Sequence, residues 1–375
     1  GIGVMTEISR QAARWSWGNV NVSAVSNTQI NTGRGDDTIS IISTANSRWG
    51  TANSVGLGNS SINLGSGNDS LNISASSTGS QTNAWAVRNS SISTGSGDDF
   101  VSLQASTLQI RRNWDPAYGA ANSSINLGSG NDTLLINANA AGQGVIRAYG
   151  ALNSTIRAGQ GDDTVVINAT ADNTNGWWWR DAADAFGLRN SSIDLGAGND
   201  RLFISASAIG AQTNAWAVQN SSIDTGAGDD FVRLQASTFQ TRWNWDPAYG
   251  ATNSSINLGS GNDTLLIDAN AAGRGTIESF GVIRSTIETG QGNDTIAINV
   301  SANGGQGERK NSYQYSYDYS YSYDYDGSWG YDYSWQRGNS IRSYSYESEY
   351  SYSSEYNSFG YRKGTWQSFD RSNGE

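Results

Sequence analysis

Residues 61–73 read SINLGSGNDSLNI, and the same sentence recurs along the whole chain. Its kernel, Gly-x-Gly-[Asn/Asp]-Asp, begins at Gly33, Gly65, Gly95, Gly128, Gly159, Gly196, Gly226, Gly259 and Gly290. The intervals between those glycines are 32, 30, 33, 31, 37, 30, 33 and 31 residues, the length of one coil of a solenoid rather than of a domain. Three residues before each kernel stands an isoleucine, from Ile30 and Ile62 through to Ile287. After it, apolar and polar residues alternate, as in Leu71 and Ile73, Leu134 and Ile136, or Val165 and Ile167. Alternation with β-branched residues marks a strand with one buried face. Each repeat therefore reads strand, glycine turn, strand, then a more variable return segment of roughly a dozen residues.

The expected fold is an all-β parallel β-solenoid of about nine coils of 30–37 residues. A longer period is superposed on it: Gly65, Gly95, Gly128 and Gly159 recur 131 residues on, TNAWAV stands at 82–87 and 213–218, and NWDPAYGA at 113–120 and 244–251. Four coils have been duplicated as a block. Three regions follow: an N-terminal segment or cap over residues 1–26, the solenoid over 27–303, and a tail over 304–375.

The tail is set apart by composition. Fifteen of the 18 tyrosines lie between Tyr313 and Tyr361, where Tyr alternates with Ser or Asp. Alternation puts Tyr313, Tyr315, Tyr317, Tyr319, Tyr321, Tyr323 and Tyr325 on one face of a strand, and Asp326-Gly327 suits a hairpin turn. Such an extended Tyr/Ser/Asp-rich segment reads as a β-type element for packing on the solenoid or for pairing with another subunit.

Composition narrows the chemistry. The 375 residues include no His and no Cys, so no thiol nucleophile, disulfide framework or thiolate metal site exists. A net charge of −11 argues against nucleic acid as a partner and favours cations. No run of about 18 apolar residues is present to span a membrane as a helix. A chain that opens on Gly1 without the pattern of a signal peptide reads as a processed or trimmed product.

The turn carries the most specific signal. Gly65-Ser66-Gly67-Asn68-Asp69-Ser70-Leu71 resembles the core of the hemolysin-type, or RTX, calcium-binding repeat, and the likeness covers roughly residues 27–300. What that resemblance implies is a stacked, right-handed β-roll with Ca²⁺ held between turns by turn carbonyls and an aspartate. The ligands would be Asp37, Asp69, Asp99, Asp132, Asp163, Asp200, Asp230, Asp263 and Asp294, with up to eight ions in the gaps. Family repeats carry a further glycine before the kernel, where this chain has Thr32, Leu64 or Ala158, and they turn at both edges of the roll. With one turn per coil, one ion column is expected.

Stacked strands lie about 4.8 Å apart, so the aspartates form a column of like charges that a hard divalent cation would neutralise. The alternative is that each Asp caps its own turn by accepting backbone hydrogen bonds. A second column, Asn27, Asn59, Asn89, Asn122, Asn153, Asn190, Asn220 and Asn253, ends in Arg284 and reads as a hydrogen-bonded ladder, although several members are also Asn-x-Ser/Thr glycan acceptors.

Function is expected to follow from repetition. Copied coils supply length and lateral surface without any unique residue, which suits a secreted, calcium-stabilised structural protein that self-assembles into an extracellular filament, sheath or surface layer. The alternative is a cell-surface adhesin or carbohydrate-binding module using the return-segment aromatics Trp49, Trp85, Trp114, Trp177, Trp178, Trp179, Trp216, Trp243 and Trp245, with Tyr118, Tyr249 and nearby Arg111, Arg112, Arg180 and Arg242. An enzyme would need a singular acid and base, whereas every turn aspartate is a copy, so no catalytic residue is expected.

Overall fold

The computed structural model describes residues 3–14, 18–110, 113–174 and 181–304, together with tail strands at 315–320, 328–337, 340–349 and 367–371. The chain is an all-β solenoid of about nine turns with three strands to a coil. In the second coil these are Ser61–Ser66, Ser70–Gly79 and Gln81–Arg88. The first row, from Gln29–Arg34 to Thr286–Glu288, is a parallel sheet of nine strands. The second and third rows join around the corner, and Phe231–Thr252 and Thr264–Ile283 each run through both without a break. Equivalent residues of successive coils pair directly, as in Ile125 with Ile156 or Ile136 with Ile167.

The return segment is therefore a third β-face, as regular as the other two. Its strand signal is faint in the sequence because its inward residues are small: Ala84, Ala117, Ala148, Ala185, Ala215 and Ala248 are all buried. Smallness is required there by the opposite face. A Cβ added at Gly119, Gly150 or Gly187 would stand 2.2, 2.2 or 2.3 Å from Cγ2 of Ile136, Ile167 or Ile204. Large aliphatic side chains on the second face thus fill a triangular interior that alanine and glycine leave open on the third. The isoleucine before each turn is buried from Ile62 to Ile256 and only partly buried at the end coils, Ile30 and Ile287.

The strands over residues 5–14 and 20–26 already belong to the stack. Met5–Arg14 pairs in parallel with Thr38–Ser47, and Val20–Ser26 with Thr51–Gly58, which makes two faces of a preceding coil. At the other end Thr295–Gly304 pairs antiparallel with Tyr315–Ser320, through Ile298 opposite Tyr317, and a meander of Ser328–Arg337, Ser340–Glu349 and Gln367–Arg371 follows. The hairpin expected at Asp326-Gly327 and the side chains of the tail tyrosines lie outside the described residues.

Each coil leaves its third face through a residue in the left-handed region. Asn27, Asn59, Asn89, Asn122, Asn153, Asn190, Asn220, Asn253 and Arg284 have φ between 48° and 53°. Asparagine tolerates this conformation better than other L-residues. From Asn89 to Asn253 each Nδ2 also donates to Oδ1 of the preceding Asn at 3.0 to 3.3 Å. The expected ladder is present from Asn59 to Asn253, and its bonds use the same oxygen and nitrogen at each step. Asn153→Ala, which keeps the strained backbone and removes two ladder bonds, is expected to lower stability by about 1 kcal/mol, read as a shift of the urea midpoint. An unchanged midpoint would mean that the ladder contributes nothing.

Candidate functional site

The glycine turns stack so closely that only glycine fits. Gly33 to Gly290 and Gly35 to Gly292 all have positive φ, and a Cβ on the second and later members would lie 1.6 to 2.3 Å from a carbonyl oxygen of the coil before. Close stacking brings the two residues after the second glycine into two parallel columns.

The inner column holds the nine predicted aspartates, all buried. Each of the nine accepts a backbone N–H from a neighbouring coil. The backbone N–H of Asp37 donates to Oδ1 of Asp69, and this repeats at 2.7 to 2.9 Å up to Asp263 N–H on Oδ1 of Asp294. At the first coil Oδ1 of Asp37 accepts the N–H of Val4. One carboxylate oxygen per residue is thus used. The other, Oδ2 of Asp37, Asp69, Asp99, Asp132, Asp163, Asp200, Asp230 and Asp263, is buried with no hydrogen-bond partner.

The outer column runs one residue earlier: Asp36, Asn68, Asp98, Asn131, Asp162, Asn199, Asp229, Asn262 and Asn293. Its bonds have the opposite polarity, since each backbone N–H donates to Oδ1 of the coil before at 2.7 to 3.1 Å. Together the columns clamp every turn from both sides. Asp and Asn alternate from Asp36 to Asn262, so exposed charges stand two coils apart. The same two-coil period governs the corner between the second and third faces, where Gln109, Asn173 and Gln240 alternate with Gly142, Gly210 and Gly273, and a Cβ on Gly142 would meet Gln109. The true unit is a pair of coils inside the 131-residue block. Its signal was present in the alternating long and short intervals.

Burial dominates the electrostatics of the inner column. Loss of solvation pushes Asp69, Asp163 and Asp230 up to about 6, and Asp132, Asp200 and Asp263 up to about 7. The backbone hydrogen bond works against that rise without cancelling it, and neighbouring carboxylates add to it at Asp69, Asp132, Asp200 and Asp263. Because these folded-state values lie above the ordinary 3.8, the folded chain binds more protons than the unfolded one between about pH 4 and 7. In a chelating buffer stability is therefore expected to fall as pH rises through 6 to 7, and to be regained on acidification to about pH 5. Thermal melts across that range check it, and a midpoint that rises from pH 5 to 8 would contradict it.

The donor set of the inner column can be tested against the ion that the turn motif implies. Every ligand atom is oxygen, the column is uniformly acidic, and each coil from Asp37 to Asp263 has one buried oxygen without a partner. Hard oxygen donors of this kind fit Ca²⁺ in chemistry. Among the described residues no three acidic side chains converge on one point, so the remaining ligands would have to be turn carbonyls.

A third column lies on the outer surface of the third face. Trp85, Tyr118, Tyr149, Phe186, Trp216, Tyr249 and Phe280 occupy the same position in seven successive coils and stack ring on ring. Their centroids are 4.6 to 5.6 Å apart and their planes within 10° of parallel. Arg88 lies 5.0 Å above Trp85, and Arg189 4.5 Å from the Phe186 centroid. Ring faces in the middle of this stack are covered by their neighbours, so a sugar has only ring edges to meet there. Tyr149, Phe186 and Phe280 complete a stack in which the block-equivalent pairs Trp85/Trp216 and Tyr118/Tyr249 were visible in the sequence; the strand register links them. Trp177, Trp178, Trp179, Arg111, Arg112 and Arg180, and the side chains of Trp114, Arg242, Trp243 and Trp245, lie outside the described residues.

Comparison with protein-family models, curated proteins and solved structures finds no match. The likeness to the RTX repeat rests on the turn motif. Among the described residues no helix is long and apolar enough to cross a membrane.

Proposed function

We propose that this chain is a secreted structural rod, stabilised by calcium along its turn aspartates, that self-assembles into an extracellular filament, sheath or surface layer. The observation that carries the reading is the contrast between the two turn columns. Outer residues accept a backbone N–H through Oδ1, and five of the nine are asparagine; inner residues do the same job, and all nine are aspartate. An asparagine oxygen can accept the same kind of bond, as Asn68 does for Asp98 in the outer column. What the inner column retains is the second carboxylate oxygen, which is buried and unpartnered from Asp37 to Asp263.

A calcium ion shared between coils would supply the positive charge those oxygens lack and tie adjacent turns together. Asp37, Asp69, Asp99, Asp132, Asp163, Asp200, Asp230, Asp263 and Asp294 would hold it. The rest of the molecule suits such a rod: the inner and outer turn columns run from coil to coil through all nine turns. Other copies of the same chain are the partners this favours, since identical edges and faces recur along the axis.

Electron microscopy and circular dichroism of the purified chain, with calcium and with EGTA, test the proposal. Regular polymers and β-structure that depend on calcium are expected. A monomer of unchanged spectrum in both buffers would remove calcium and assembly together, and saturable glycan binding by that monomer would favour an adhesin.

A further inference from the structure

The aromatic stack is not explained by the rod. Its position is occupied by Ser23 and Val55 in the two strands stacked before Trp85, so the strand does not require a ring there. From Trp85 onward the rings keep a near-constant separation and orientation through seven coils. Five of the seven are Trp or Tyr, the side chains that give up a single electron most readily, and the two phenylalanines are each one step from such a ring.

We propose that the stack from Trp85 to Tyr249 relays one-electron oxidation along the solenoid axis. Electron tunnelling weakens steeply with distance, and contact-distance rings in parallel planes present their π-systems to one another at every step. A strong one-electron oxidant, such as an oxygen-centred radical, takes one electron from Trp85 and leaves an indole radical cation. Tyr118 refills it with one electron and releases its phenolic proton to water, becoming a neutral phenoxyl radical. Tyr149 then supplies an electron to Tyr118, which recovers a proton from water, and loses its own. Phe186 is not oxidised; the electron that refills Tyr149 crosses it from Trp216, leaving an indole radical cation there, and Tyr149 takes back a proton from water. Tyr249 passes an electron to Trp216 and releases its phenolic proton to water, and a phenolic or ascorbate-type reductant finally restores Tyr249 by giving up one electron and one proton. One electron has moved from reductant to oxidant, and the polypeptide is unchanged. Burial pushes the Tyr118 phenol up to about 12 and raises those of Tyr149 and Tyr249 as well, so all three rest protonated.

The absence of cysteine permits a single attachment point. Arg88→Cys, at an exposed position beside Trp85, would carry a ruthenium polypyridyl photo-oxidant, with a cobalt(III) quencher in solution as the final electron acceptor. After a flash, radicals are captured by a spin trap and located by mass spectrometry. The expected result is adducts at Tyr118, Tyr149 and Tyr249, with loss of the Tyr249 adduct alone in Trp216→Leu. A Tyr249 adduct undiminished in that variant would show that oxidation arrives through solution, and its absence from the parent chain while Tyr118 is trapped would show that the stack does not relay; either overturns the proposal. Phe186→Tyr keeps a ring in the stack and guards against a folding defect in the first variant. It should speed the appearance of the Tyr249 radical, and an unchanged rate would also overturn the proposal.

Discussion

Replacing Asp132, Asp163 and Asp200 together by asparagine is expected to leave the solenoid folded and to abolish most of its thermal response to calcium. The parent chain should melt higher in millimolar calcium than in EGTA, because an ion that binds only folded coils stabilises them by about 2.7 kcal/mol per site at a hundredfold excess over its dissociation constant. Asparagine preserves Oδ1 as acceptor for the N–H groups of Asp99, Asp132 and Asp163. It removes the oxygen that an ion would use. In EGTA at pH 8 the variant is expected to melt no lower than the parent, since it no longer carries three charges whose burial opposes ionisation. Asp163→Ala should behave differently. It strands the buried N–H of Asp132 and is expected to cost about 2 kcal/mol in either buffer. Calorimetric melts of the three proteins check both statements, and a triple asparagine variant that gains as much from calcium as the parent would show that these carboxylates are not ligands.

A still larger loss is expected from one methyl group in a turn. Gly130 has φ +125°, and a Cβ there would lie 2.1 Å from the carbonyl oxygen of Gly97 and 2.5 Å from its carbon. Both obstacles are backbone, so no side-chain rotation relieves them. Moving the turn outward would break the bonds from Gly130 N–H to Gln160 and from Gly97 N–H to Ser129, and would misalign Asp132 with its neighbours on both sides. Strain and overlap together should cost Gly130→Ala upwards of about 3 kcal/mol. Because each coil is supported only by its neighbours, the damage should spread from the middle of the stack, and hydrogen exchange should accelerate first in the coils around residues 95–165. Protection equal to that of the parent in those coils would contradict the stacking constraint.

The fold was legible because its two strongest determinants are one-letter signals. The turn needs glycine at two places for reasons of φ and of space, and the strand that follows needs large aliphatic residues at every second place; both requirements recur at each coil. The third face escaped recognition as a strand because its inward positions must be small to accommodate Ile136, Ile167 and Ile204 from across the interior. Alanine and glycine are poor markers of a strand, so packing, not local propensity, decides that segment.

The site was legible in part. The nine aspartates stand in register as the motif required, yet neither the direction of their hydrogen bonds nor the isolation of Oδ2 can be read from spacing. That information depends on which coil each side chain reaches. The alternation of Asp with Asn one residue earlier was visible in the letters and gains meaning only beside the inner column, where the same hydrogen bond is made without any asparagine. Likewise Trp85 and Trp216 were recognisable as copies, but Tyr149, Phe186 and Phe280 join them only through the strand register.

The central claim is that the inner aspartate column binds calcium. Isothermal titration of the calcium-free chain with calcium chloride at pH 7.5 tests it most directly, with the release of protons to buffer followed in parallel. Saturable binding of several ions per chain, lost at the substituted positions when Asp132, Asp163 and Asp200 become asparagine, is the predicted result. No heat of binding and no proton release up to millimolar calcium would contradict it, and would leave the column as a hydrogen-bonded spine held by protons.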